Sequence, residues 1–179
     1  HRQVTCPFEN REKDGNIMGK IYYVMGKSAS GKDTIYKRLV KKMPELGTVR
    51  MYTTRPIRDG ETNGVEYIFT DEKQLQAMKD AGKVIECRTY DTIYGPWSYF
   101  TADDGQIDLG SCSYLMMGTL ESYEGLCKYY GAEVMVPLYI HVEDGVRLQR
   151  ALNRENTQKN PKYAEMCRRF LADEKDFSK

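Results

Sequence analysis

The sequence predicts an α/β domain with a mostly parallel sheet, and three observations predict it. Short β-rich runs alternate with helical patterns along most of the chain. A glycine-rich loop, Gly26 to Lys32, joins the first β-run directly to the first helix. Between residues 50 and 101 a block richer in strands interrupts the alternation, as an inserted subdomain would. The 179 residues suit one domain and can bury a core without disulfides or metals. Residues 1–17 are polar and without period and read as a flexible tail. Met18-Gly19-Lys20 reads as a natural start, so part of that tail is a candidate for vector-derived sequence. The domain then runs over 18–179, with its core in 18–49 and 102–144, the inserted block in 50–101 and a helical segment in 145–179.

In order, "KIYYVM" predicts the first strand, and the helix "KDTIYKRLVKKM" follows the loop. Ile35, Leu39, Val40 and Met43 share one face of that helix, and Pro44 stops it. "TVRMY" predicts a second strand, "TTRPIRDGETNG" a loop, and "VEYIF" an alternating strand. Thr70 is the expected cap of "DEKQLQAMKDA", whose acidic first turn suits the helix dipole and which Gly82 ends. "KVIECRTY" and "YGPWSYFT" predict strands around a turn. "SYLMM" predicts an apolar strand, Thr119 caps the next helix and Gly131 stops it. "VMVPLYIHV" predicts a last strand, and helices follow from Asp144 to the end with a break near Asn160-Pro161.

Composition removes several kinds of chemistry. A formal net charge of +1 gives no global attraction to nucleic acid or to an anionic membrane, so bound anions must be held by local clusters. No apolar run approaches the roughly 18 residues that span a bilayer, and the N-terminus has no secretory signal. Five scattered cysteines without a CxxC pair suit reduced thiols and a cytoplasmic location. Two histidines, one of them terminal, exclude a histidine zinc site or a Ser-His-Asp triad. Lysines, arginines, carboxylates and backbone amides must carry the chemistry.

The stretch "GKSASGKDT", Gly26 through Lys27, Ser28, Ala29, Ser30, Gly31, Lys32 and Asp33 to Thr34, has the pattern of a phosphate-binding loop. Glycines let successive N–H groups turn inward around phosphate oxygens, Lys32 supplies a mobile cation, and the following helix adds its dipole. The pattern departs from GxxxxGK[ST] at Asp33, which replaces a hydroxyl at the Mg²⁺-facing position. Asp33 serves either as a charged metal ligand or as a first-turn carboxylate opposite the helix dipole, with Thr34 as the substitute ligand. Downstream, Arg55 and Arg58 lie three apart around a proline and project two guanidinium forks suited to a phosphate monoester, with the phenol of Tyr67 as an uncharged donor.

The run Thr53, Thr54, Arg55, Arg58, Gly60, Glu61, Gly64, Tyr67 and Phe69 resembles the acceptor-site signature of guanylate kinases. "VIE" ending at Glu86, Tyr94-Gly95, "RALNR" from Arg150 and "RRFLADE" from Arg168 extend the resemblance towards the C-terminus. It implies a P-loop kinase core, an inserted nucleoside-monophosphate-binding subdomain over 50–101 and a helical lid over 145–179. It implies transfer of the γ-phosphoryl of ATP, with Mg²⁺, to GMP or dGMP. By the same resemblance Arg55, Arg58, Tyr67 and Tyr94 hold the acceptor phosphate, Glu61 belongs to the same substrate-binding set, and Glu86 accepts from the guanine N1–H and 2-amino edge. Lys32, Arg150, Arg154 and Arg169 then act on the transferring phosphoryl. The chain departs from the family at Met51 and Pro96, where hydroxyls are expected, and at Met116 and Gly118, where the family has Asp-x-Asp; Ser98 is a candidate replacement donor. It also ends before the family's last strand and helix. Two alternatives stay open: a P-loop kinase with another nucleotide acceptor, and a non-catalytic guanylate-kinase-like domain that binds a protein partner. Lys32, which such domains typically lose, argues against the second.

Overall fold

The computed structural model describes residues 19–58, 60–92 and 95–178; the expected tail and Tyr94 lie outside them. Eight strands fall into two four-stranded sheets. The first contains β1 (Ile21–Met25), β2 (Gly47–Thr48), β7 (Tyr114–Met117) and β8 (Met135–Tyr139), in the order β2-β7-β1-β8. All of its pairings are parallel. The second contains β3 (Tyr52–Thr53), β4 (Ile68–Phe69), β5 (Val84–Thr92) and β6 (Gly95–Ala102), in the order β4-β3-β6-β5. There only β3 and β4 run parallel. The parallel prediction therefore holds for the first sheet, and the strand-rich block forms the mixed one.

Position in the first sheet explains its sequences. β1 is central and reads as a nearly continuous apolar run, with Ile21, Tyr23, Val24 and Met25 buried. Ile21, Tyr23 and Met25 join Tyr114, Met116, Leu126, Val134 and Met135 in the main core. β8 lies at an edge, where Pro137 can sit without removing a ladder bond from a central strand. Helix α1 (Lys32–Lys42) presents its predicted apolar face, but Ile35, Leu39, Val40 and Met43 are only half-buried.

Three local expectations are corrected. "TVRMY" is not one strand, because the chain leaves the first sheet after Thr48 and joins the second at Tyr52. Between them the Gln106 side chain takes the place of a strand neighbour, accepting from the Arg50 N–H (2.8 Å) and donating to its C=O (3.1 Å). Of "VEYIF" only Ile68–Phe69 join a strand, since a turn bonds the Val65 N–H to Thr62 and the Gly64 N–H to Tyr67, which forms an isolated bridge with Asn63. The cap of α2 (Glu72–Asp80) is Asp71, whose carboxylate accepts from the Gln74 N–H; the Thr70 N–H bonds the Thr53 carbonyl instead. Helix α3 (Leu120–Tyr130) has the expected Thr119 cap, strengthened by Ser122 in a capping box. Helices α4 (Asp144–Asn156) and α5 (Tyr163–Asp176) complete the chain. No helix among the described residues is long and apolar enough to cross a membrane.

A bulge between Val84 and Glu86 shifts the register of β5 against β6. Alternation alone would put Val84 and Glu86 on one face. The extra residue instead lets Val84 and Cys87 pack on the small core of Leu75, Phe100 and Ala102, and Ile85 pack on the main core. Glu86 and Arg88 both end up buried beside α3, where α3 approaches so closely that a Cβ on Gly125 would lie 2.6 Å from that of Glu86.

Gly125→Ala should therefore reverse the usual helix preference. Alanine ordinarily favours a helix interior by about 1 kcal/mol. Here overpacking against β5 should leave the variant about 1–3 kcal/mol less stable in urea unfolding. A variant as stable as the parent would show that α3 can move off β5 freely.

Candidate active site

The loop Gly26–Lys32 leaves β1 at the carboxyl end of the parallel sheet, where open α/β sheets place their ligands. Gly26 lies so close to the next strand's exit that a Cβ would meet the Ile140 carbonyl at 2.8 Å and Ser30 Oγ at 3.0 Å. Ala29 (φ 60°) and Gly31 (φ 89°) have left-handed backbones that turn the chain into α1, whose first bond is Ile35 N–H to Gly31 C=O, 3.1 Å. Successive N–H groups in such a turn make an anion-binding concavity. Ser30 Oγ is buried there without a hydrogen-bond partner among the described residues. Lys32 lines a cavity of about 460 Å³ with Gly26, Ser28, Tyr90, Thr119 and Asp173. Asp33 and Thr34 are exposed on the first turn of α1. The described residues contain no cluster of three or more His, Cys, Asp or Glu fit to hold a metal ion on its own.

Helices α4 and α5 close on this loop through a buried guanidinium. Arg147, 1% exposed, donates to the Ser28 carbonyl (3.1 Å), to Asp144 (2.6 Å), to Asp173 (3.4 Å) and to Glu174 (3.0 Å). Its guanidinium also lies 4.7 Å above the Phe170 ring. Asp173 accepts from the Ser28 N–H at 2.7 Å, and Glu174 accepts from Lys27 at 2.6 Å. The Glu174 bond, against some burial, raises the Lys27 pKa. Arg150 reaches the Ser30 carbonyl at 3.4 Å. Arg154 lies exposed on α4, and Arg169 is held by Glu165 at 2.8 Å. Hydrogen bonding from Arg168, then Arg169, brings Glu165 down to a pKa of about 2. Of the three expected lid arginines, Arg150 alone touches the loop. Arg147 escaped the sequence reading, although its spacing to Arg150 and Arg154, three and seven residues, marked a shared helix face.

On the second sheet the Arg55 fork is already engaged. It donates to both oxygens of Glu61 (3.0 and 2.8 Å) and to the Pro56 carbonyl (2.8 Å), with the rings of Tyr67 and Phe69 near its carbon at 5.7 and 5.4 Å. Glu61 also accepts the Arg58 N–H at 2.8 Å, and the Arg58 side chain is exposed. Arg55 hydrogen bonding holds the Glu61 carboxyl below its ordinary range. Burial raises the Tyr67 phenol, whose ring packs edge-on against Phe69 and Tyr99 and lies near the Arg55 guanidinium.

Glu86 is buried and committed. It accepts from the Arg88 Nε (2.9 Å) and Nη2 (3.4 Å) and from the Thr101 hydroxyl (2.7 Å). Arg88 continues to Thr119 Oγ1 at 3.0 Å and Met51 Sδ at 3.7 Å. Burial opposes the charge on Arg88, but Glu86 and the phenols of Tyr23 and Tyr90 outweigh it and raise its pKa. Sequence reasoning missed Arg88, because an arginine in a strand carries no periodic signal. Ser98 does not join this face; its hydroxyl bonds Thr89 (2.9 Å) and Glu72 (3.3 Å).

Comparison with known proteins places these features. Residues 18–98 match the family model described as guanylate kinase. The guanylate kinase of Legionella pneumophila (strain Lens) is 37% identical over 78 residues, 43% of this chain and 37% of that protein. The guanylate kinase of Coxiella burnetii is 37% identical over 76 residues, 42% of this chain and 37% of that protein. The matched stretch thus spans little more than a third of these relatives. A crystal structure of guanylate kinase from Anaplasma phagocytophilum superposes with a TM-score of 0.55 at 22% identity, over 77% of this chain and 69% of that one. That likeness concerns the fold, and it reaches beyond the segment of sequence similarity. The arginines of α4 and α5 fall outside that segment.

The Arg55–Glu61 pair gives the site a pH dependence. Because Glu61 is lowered from 4.5, its contribution is fully present above that value and is lost as pH falls through the lowered one. Glu61→Gln should lower Tm by about 2–4 °C at neutral pH. The difference should shrink below about pH 4.5 as the parent's carboxylate protonates. A Tm difference independent of pH would assign the loss to packing.

Proposed function

Because residues 18–98 match the guanylate kinase family model and the fold resembles that of a guanylate kinase, we propose that the chain is a nucleoside monophosphate kinase that transfers the γ-phosphoryl of ATP to GMP, giving ADP and GDP. One observation carries this reading: the loop turned inward at Ala29 and Gly31, with its Lys32 facing a cavity that runs to Tyr90 and the N-terminus of α3. Among the described residues Lys32 forms no ion pair, so its charge is available to an anion. The unpartnered Ser30 Oγ and the close approach at Gly26 fit a phosphate chain lying along the loop.

In this reading residues 50–101 bind the monophosphate and residues 145–179 form the lid. Lys32 and the loop amides hold the β- and γ-phosphates. Asp33 or Thr34, both exposed on the first turn of α1, would hold Mg²⁺, which would supply positive charge against the developing negative charge; magnesium sites commonly need only one or two protein carboxylates. Arg55, Arg58, Tyr67 and Tyr94 hold the acceptor phosphate, with Glu61 orienting the Arg55 fork. Arg150, Arg154 and Arg169 close over the transferring group, which requires Arg154 and Arg169 to move towards the loop. Phosphoryl transfer depends on alignment and positive charge rather than on a covalent nucleophile, so this set suffices without histidine or cysteine. The four described cysteines are free, which suits the proposed cytoplasmic location.

Coupled measurement of ADP tests the reading: GMP should stimulate ATP consumption, and no stimulation by any nucleoside monophosphate would overturn it. Lys32→Met should fold normally and lose about 10²–10³ in kcat, since charge developing in the transition state goes uncompensated. A variant with unchanged turnover would remove this loop as the donor site. Arg58→Ala should raise KM for every accepted monophosphate by a similar factor, because all share the phosphate; an effect on one base alone would contradict phosphate binding by Arg58.

A further inference from the structure

The proposed acceptor site lacks an evident donor to the base, since Met51 offers only a thioether and Gly118 no side chain. Arg88 lies beside this gap. It is 6% exposed, on the face of β5 that the bulge turns towards α3. A guanidinium has five N–H donors. Two meet Glu86 and one on Nη1 meets Thr119; of the remaining two, one on each Nη, that on Nη2 has only Met51 Sδ at 3.7 Å. Sulfur is a weak acceptor, so a desolvated cation keeps an N–H that a carbonyl oxygen would satisfy better.

Glu86 shows the complementary count. A carboxylate offers about four lone-pair positions. Arg88 Nε takes one on Oε2; Arg88 Nη2 and the Thr101 hydroxyl take two on Oε1. One acceptor position remains where two would be needed to read both the N1–H and the 2-amino group of guanine. The pair therefore offers one donor next to one acceptor.

We propose that Arg88 and Glu86 together read a 6-oxopurine, Arg88 donating to the base carbonyl and Glu86 accepting the adjacent ring N–H, while the 2-amino group goes unread. This rests on the kinase reading for the identity of the site. Hypoxanthine and guanine present the same carbonyl and N–H. Adenine presents an amino group and a bare ring nitrogen, which reverses both bonds and leaves buried groups unsatisfied. The chain thus accepts IMP as well as GMP, and the specificity-determining residue is the arginine.

Calorimetric binding of GMP, IMP and AMP to the full chain tests this without requiring turnover. IMP should bind within about fivefold of GMP, and AMP about 100-fold more weakly than either. Arg88→Met keeps the stem but removes the donors; GMP and IMP should weaken about 10- to 100-fold and AMP by much less. Arg88→Lys should recover part of the loss. Three results would overturn the inference: IMP more than about fivefold weaker than GMP, AMP within tenfold of GMP, or an Arg88→Met loss equal for all three bases, as a merely structural tie would give. The parental ratios decide the matter even if the variants fold poorly. GMP binding without ADP formation would sink the kinase reading and leave those ratios to judge Arg88; no binding by any of the three would overturn both.

Discussion

The guanidinium of Arg147 is the centre of the network that ties the loop after β1 to α4 and α5. Among the described residues it is the largest fully buried side chain, and it touches the loop after β1, the first turn of its own helix and the last turn of α5. A cation taken out of water is costly unless paired and hydrogen-bonded. Here Asp144, Asp173 and Glu174 supply that pairing, and the Ser28 carbonyl fixes where the cluster sits on the loop. Without it the three carboxylates would repel one another beside a loop suited to anions. The shape of the loop therefore depends on a helix more than a hundred residues later in the chain.

Arg88 solves the same problem for a different purpose. Both arginines are buried and both are tied to carboxylates. Arg147 is surrounded by strong oxygen acceptors, whereas Arg88 ends on a thioether. The first arrangement is saturated and serves as a fastening. The second keeps bonding capacity in reserve. Arg55 lies between these extremes, bidentate to a single carboxylate and flanked by aromatic rings. With a net charge near zero, all three attractions stay local, which is how a protein without a basic surface can still select anions.

The loop, the strands beside it and the helix ends were legible in the sequence because each follows from local chemistry. Gly26 and Gly31 announced a turn, Thr119 a cap and Gly131 a stop. The interruption of "TVRMY" was not legible, since it depends on Gln106, which is remote in sequence. Nor was the displacement of the Thr70 cap, because that residue's N–H is drawn into the second sheet by Thr53. Among site residues, Lys32 and Glu86 could be named from their motifs, but the partners that occupy Glu86 could not. Arg147 was within reach of helical spacing; Arg88 was not, because only the bulge decides which way it faces.

That bulge separates two inheritances carried by one strand. Val84 and Cys87 answer to the hydrophobic core, where volume is conserved by packing. Glu86 and Arg88 instead line a cavity beside α3. An insertion of a single residue thus gives β5 a side that must stay as it is and a side that lines a cavity. Selection could exchange the chemistry of the pair only by keeping the buried charges matched, because removing one partner strands the other. On this strand the polar side and the stability of the fold stay linked through one buried ion pair.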